Sequence, residues 1–476
     1  MRITDNTARH QRGAALLLMM LAIILATSTI LLVNLSRDDL RTRRSMQTAA
    51  VLAEARNALI DFAIVNLQVD PGRSVRLPCP DIDDSGGFPE GASHTTACGA
   101  SGETVMGRLP WRTLGIAAGK DAGSACLWYV VSGSYKDAGT SSSPMINTDT
   151  NGQLQLYAVE TGNIVAGLAA EDRPVAMVIA AMPPVSGQSR PGSASSLQCA
   201  PAAAASRYLE TDVASGISNA TLNGIPDAID TFAKTSGESQ YHNDRIVTVS
   251  RRDIELRLLR QQGFRDRMRN LGLALASCLA NYAATNPAGI NDKRLVWPAP
   301  VSMTDYRPDS AYDDANTGFQ SGRLPDIVDD SNTATSNPIP RVLSDCDTSA
   351  VPQWTPAMMA AWRNWKDHFF YAVSDAHVPT APTPSSCGSC LTVNGTGQYA
   401  AVLLYSNTRL NVLGQIRNEP PIDSDSKGDP GNYLEGGNAT NIPGDGALSD
   451  YVSGPETASF NDLLFCIDDQ LLVTEC

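Results

Sequence analysis

Seven short motifs occur twice in this chain, and in the same order. "ALIDFAIVN" (58–66) answers "CLANYAATN" (278–286), and "RLPCP" (76–80) answers "LVWPAP" (295–300). "GRLP" recurs at 107–110 and 322–325, and "LWYVVS" (127–132) pairs with "FFYAVS" (369–374). Then come "GQSR" (187–190) with "GQIR" (414–417), "YLE" at 208–210 and 433–435, and "ND" at 243–244 and 461–462. One three-residue match is chance; seven in unbroken order are a duplication. Two related domains are expected, one over 36–247 and the other over 268–476, each with its own core.

The joint between them reads as helix. Ile254, Leu258, Leu259, Met268, Leu271, Leu275, Leu279 and Tyr282 form a stripe at helical spacing, with Gly263 as a break. Residues 248–267 are the linker helix, and the rest of the stripe opens the second domain. "QLQLYAV", "PVAMVIAAM", "YAAVLLYS" and "DLLFCI" read as strands. A helix followed by such segments predicts an α+β unit, a helix on a mainly antiparallel sheet, made twice.

Hydrophobic content of 42% and charged content of 18% describe a folded chain of 476 residues. Residues 1–45 hold seven Arg against Asp5, Asp38 and Asp39, a balance of +4. With a total of −14, the remainder carries −18, and nucleic acid is not an expected partner, because phosphates would be repelled. All ten cysteines follow residue 78, an even count that suits disulfides in an oxidising compartment.

From Ala14 to Leu35 there are 22 residues without a charge. As a helix this run is long enough to cross a bilayer core of about 30 Å. It is longer than the roughly 7–15 apolar residues of a removed secretory signal, which stays open as an alternative beside a plain anchor. Arginines flank the run on both sides, so charge alone does not orient it. The cysteine-rich body does: N-terminus cytoplasmic, bulk exported. Leu52, Ala55, Leu59 and Phe62 continue a helical pattern, and no Pro or Gly interrupts 14–66. One helix of about 80 Å is expected there.

A short basic leader ending in Gly, followed by such a helix, resembles the type IV pilin and type II secretion pseudopilin superfamily. The form "QRGAALLL" is most similar to minor, tip-type members. The resemblance implies a leader over 1–13, a prepilin peptidase cut between Gly13 and Ala14, and a transmembrane helix over 14–35 running into a pilin-like head. Most members carry Glu at the fifth residue after the cut; here that position is Leu18. The family's Glu is thought to meet the N-terminal amine of the neighbouring subunit, so a chain without it suits the topmost place. The implied partners are other pilins or pseudopilins, prepilin peptidase and the inner-membrane assembly platform. The implied location is the bacterial inner membrane, single-pass, with the bulk periplasmic or in an extracellular filament.

"LPCPDIDDSGG" places Asp81, Asp83 and Ser85 at alternate positions before Gly86. A hard cation wants several oxygens from such a Gly-bent loop, so calcium is the cofactor this stretch would suit. The closing acid of an EF-hand loop is replaced by Ala92; Glu90 sits two residues early. The competing reading is a solvated turn. Cys79 and Cys98 bracket the loop and are the first disulfide expected. Cys387 and Cys390 form a C-x-x-C, read as structural disulfide because no helix opens behind a strand there. No nucleophile elbow, Walker loop, dinucleotide fingerprint or H-E-x-x-H occurs, and no catalytic residue is named. The expected function is a non-enzymatic filament subunit at or near a tip. The rival readings are a tip adhesin recognising glycan or exported protein, and an anchored periplasmic enzyme. The aromatic stretch 354–373 looks like a sugar or protein contact surface, against the plainer reading of a helix leading into a core strand.

Overall fold

The computed structural model describes residues 8–69, 75–82, 88–94, 98–137, 145–190, 199, 204–237, 241–285, 293–331, 339–381, 390–420, 422–444 and 449–476, and not the side chains of 8–15, 28–41, 66–69 and 262. Helix α1 (Ala8–Val69) comes first. It is followed by β1 (Leu77–Pro78), β2 (Val105–Arg108), β3 (Trp128–Val131), β4 (Lys136–Asp137) and β5 (Leu154–Ala158). Next are β6 (Asn163–Ala166), β7 (Pro174–Ala180), β8 (Asp230–Lys234) and β9 (Arg245–Ser250). Helices α2 (Arg251–Leu259) and α3 (Gln262–Thr285) lead to β10 (Ser321–Arg323), α4 (Pro356–Trp365) and β11 (Phe369–Val373). The chain closes with β12 (Leu391–Val393), β13 (Thr396–Tyr405), α5 (Gly436–Thr440), β14 (Asp450–Tyr451), β15 (Leu463–Asp468) and β16 (Val473–Glu475).

Two antiparallel sheets carry the architecture. One has the order β2-β3-β7-β9, with Val131 opposite Val105 and Ala176. The other contains β10-β11-β13-β15, with Leu403 opposite both Tyr371 and Phe465. The doubled sequence motifs sit at corresponding places in the two. "GRLP" ends β2 and β10, and the aromatic "LWYVVS" and "FFYAVS" segments hold β3 and β11. The second sheet is larger, since β12, β14 and β16 extend it. Two small sheets, β1-β4 and β6-β5-β8, complete the described strands.

The two-residue period of a strand sorts side chains to opposite faces. On β7, Ala176, Val178 and Ala180 join one apolar cluster while Met177 and Ile179 join another. On β13, Ala401, Leu403 and Tyr405 face one cluster and Val402 and Leu404 a second. Both strands are covered on both sides, which is why their sequences are continuous apolar runs. The inner faces of both sheets, the buried side of α1 (Leu52, Ala55, Leu59, Ala63) and that of α3 (Leu271, Leu275, Leu279) form one cluster. Separate cores for the two halves were expected; each half has an apolar cluster of its own, and the two also share this larger one. Fully burying a side chain such as Leu59 contributes about 2 kcal/mol.

Close approach explains two of the repeated glycines. A side chain at Gly107 would collide with Asp81 O, and one at Gly322 with Ala299 O. Those backbones bond each other: Arg108 N to Asp81 O at 2.8 Å, and Arg323 N to Ala299 O at 2.9 Å. The helix break comes at 260–261, just before Gly263, and Ser250 caps α2 in a reciprocal box with Asp253. The aromatic stretch is core: Trp354, Trp362 and Trp365 are buried.

The membrane expectation is corrected. Among the described residues, no helix is long and apolar enough to cross a membrane. The transmembrane helix over 14–35, the single-pass inner-membrane location and the cytoplasmic N-terminus are therefore withdrawn. So is a fold consisting of a spanning helix plus pilin-like head. The observed fold is sheet-rich, four sheets around a doubled helix-on-sheet plan, with an uninterrupted helix of 62 residues at its start.

Candidate functional site

Three features could carry function: the outer part of α1, a buried polar frame made twice, and an ionic seam between the halves. Along α1, the residues from Leu52 to Ile64 dock on the body, while Leu16, Leu17, Leu18, Met19, Met20, Leu21, Ile23, Ile24 and Leu25 are exposed on every side. Leu18, at the position of the family's Glu, is 65% exposed. Gly13 and Ala14 lie within α1, near its start. Docking of the inner part is fixed by Arg56, which reaches Thr248 O at 2.9 Å and Asp253 at 2.7 Å.

The polar frame is built by the repeated motifs. In the first half the Arg108 guanidinium stacks 3.9 Å from the Trp128 ring centre and 4.4 Å from that of Tyr208. Arg190 donates to Tyr208 O at 3.1 Å, and Gln188 to Glu210 Oε1 at 2.9 Å. Glu210 Oε2 accepts the amides of Asn243 and Asp244, while Asp244 Oδ2 accepts the amide of Glu210. The second half repeats this with other numbers. Arg323 stacks 4.6 Å from Phe370 and 4.8 Å from Tyr433, and Gln415 donates to Glu435 Oε1 at 3.0 Å. Glu435 Oε2 accepts the Asn461 amide, and Asp462 Oδ2 the Glu435 amide. The two acids of each frame are enclosed together. Burial and the facing Glu210 push the Asp244 carboxyl well up; burial and Glu435 do the same to Asp462.

The seam joins the halves through the segment Ile146–Gln153. Asp149 is 2.9 Å from His368 Nε2, 2.9 Å from Arg417 Nη1 and 3.0 Å from Arg409 Nε. Beside it, Asp367 meets Lys427 at 2.6 Å, Tyr433 Oη at 3.0 Å and Asn147 Nδ2 at 2.8 Å. Burial opposes ionisation of Asp149, but Arg417, His368 and Arg409 win and hold it well below the usual range. Asp367 is likewise pulled to about 2, against its burial, by Lys427 and His368. Opposite charges face each other, and Arg417 donates to Asp149 and Lys427 to Asp367, the condition under which a buried ionic group is tolerated.

Of the residues singled out for calcium, Asp81 and Glu90 are described, and each accepts a backbone amide. Asp81 is buried and its Oδ2 accepts the Gly91 amide at 2.7 Å; Glu90 Oε1 accepts the Cys199 amide. Asp83 and Ser85 lie outside the described residues. Cys79 pairs with Cys98, and Cys126–Cys199, Cys278–Cys346 and Cys466–Cys476 are the other described pairs. Cys390 is disulfide-bonded, and Cys387 lies outside the described residues. Two groups with metal-ligand chemistry went unnoticed in the sequence: Glu210, His242 and Asp244, and Asp313, Asp314 and Asp329. The first was readable as "ETD" and "HND", acids and His at alternate positions in duplicated segments. Compared with protein-family models, curated proteins and solved structures, the chain matches none.

Proposed function

We propose that this chain is a non-enzymatic filament subunit of the minor pilin or pseudopilin type, at or near the tip. The observation that carries this reading is α1 itself. Its outer part is apolar all round and bare, while its inner part is docked on the body. A helix greasy on every side requires cover in water, and parallel helices of neighbouring subunits supply it in a filament. The "QRGAALLL" leader supports a cut after Gly13, and Leu18 supports the topmost place, where no subunit above offers an amine.

The test has two arms. N-terminal sequencing of chain made with and without prepilin peptidase should show an Ala14 start only with the enzyme. Co-purification with other pilin-type subunits should be lost when Leu21→Glu and Ile24→Glu put charges on the bare stretch. An N-terminus indifferent to the peptidase sinks the proposal. Glycan binding that survives both substitutions would instead favour an adhesin.

A further inference from the structure

The two polar frames differ at one position that matters chemically. The first half reads "HND" over His242–Asp244; the second reads "FND" over 460–462. His242 is 4% exposed, Glu210 4% and Asp244 0%. One ligand atom from each of the three lies within 4.8 Å of the other two. Asp244 Oδ1 is enclosed and receives no hydrogen bond from the described residues, although Oδ2 of the same carboxylate takes two. Asp462 Oδ1 is enclosed in the same way, so the imidazole is what sets the first frame apart. Arg190 stands 3.9 Å from Glu210 and is engaged with Tyr208 O and the carbonyls of Ala181 and Met182.

We infer that Glu210, His242 and Asp244 form a site for a divalent transition cation of the zinc class, present in the first half and missing from the second. Imidazole and carboxylate together select such an ion over calcium or magnesium, which take oxygen alone. Three protein ligands leave one place for water. Two carboxylates, a neutral imidazole and a divalent ion sum to zero charge, so a bound ion leaves no net charge in the enclosed site. The outer partners are in place: Gln188 steadies Glu210 Oε1, and Asn219 Nδ2 holds Asp244 Oδ2 at 2.9 Å. Tyr241, next to the ligand His, is 60% exposed, so the site lies just beneath the surface.

The second half supplies its own control. Glu435 and Asp462 keep the acid pair with Phe460 at the sequence position of His242, so the frame forms without an imidazole there. The full chain, stripped with chelator, is titrated with zinc chloride by calorimetry and with cobalt(II) by visible absorption. One saturable equivalent is expected, with cobalt bands of mixed nitrogen and oxygen ligation and a rise in Tm. His242→Phe should remove the equivalent and the bands while the metal-free circular dichroism stays unchanged. Asp244→Asn should weaken zinc binding at least tenfold, and Asp462→Asn should leave it alone. No saturable equivalent in the parent chain, or one undiminished in both His242→Phe and Asp244→Asn, overturns the inference.

Discussion

Arg417 Nη1 lies 2.9 Å from Asp149 Oδ2, although the two residues are 268 positions apart. The equivalent of Arg417 in the first frame, Arg190, stays within its own half. One copy of a duplicated arginine thus serves its frame and also ties the halves together. Asp149→Ala would leave Arg417, Arg409 and His368 enclosed around a vacant partner. Breaking a buried pair from one side costs about 3–5 kcal/mol. Calorimetry should show a single transition moved down in Tm, not one half melting before the other.

Stacked arginines predict a second result. Arg323 is wholly buried among Tyr306, Phe370 and Tyr433 and donates to Val301 O at 3.0 Å. Lysine lacks the planar fork, so Arg323→Lys should lower stability by about 2 kcal/mol in urea unfolding. Arg108→Lys should behave alike, because Trp128 and Tyr208 offer the same two faces. A neutral result at both would remove stacking as the reason for the repeated "GRLP".

The pH dependence has a definite sign. Burial lifts Asp314 to about 7, and burial with the nearby Asp329 and Asp330 lifts Asp313 to about 6. Asp244 and Asp462 are displaced the same way. Unfolded carboxyls ionise near 4, so between about pH 4 and 7 the native state holds more protons and stability falls as pH rises. Asp149 and Asp367 act oppositely, but their contribution is lost only below about pH 4. Asp314→Asn should gain on the parent chain from pH 5 to about pH 7 in denaturant titrations and level off above that. A constant gap over that range would contradict the assignment.

Disulfide removal should rank by loop length. Cys278–Cys346 spans 68 positions and Cys466–Cys476 spans 10. The chain-entropy relation gives about 4 kcal/mol for the first and about 3 kcal/mol for the second. Paired Cys→Ala variants compared by thermal unfolding check the order.

The sequence made the doubled plan readable because short motifs were tied to backbone needs. Gly107 and Gly322 allow a strand to approach, and the "YLE" and "ND" segments bond each other's amides. Such local requirements keep residue identity. The shared core was not readable, since an apolar residue on α3 looks the same whichever sheet it covers. Nor was the seam: "NTDTN" over 147–151 resembles a solvated loop until Asp149 is seen between His368, Arg409 and Arg417. The cation ligands were missed because Glu210 and His242 are 32 positions apart and meet only through the frame.

The common core has a consequence for the order of events during synthesis. Leu52, Leu59 and Val178 share one apolar cluster with Leu271, Leu279, Trp365 and Phe465. A ribosome that has finished only the first half has therefore released a sheet and a helix whose lining is incomplete. The residues of α1 must wait for β15, near the end of the chain, before water is shut out. Chains stopped between 250 and 460 should emerge as sticky intermediates, and a holding chaperone would find its natural client in that interval.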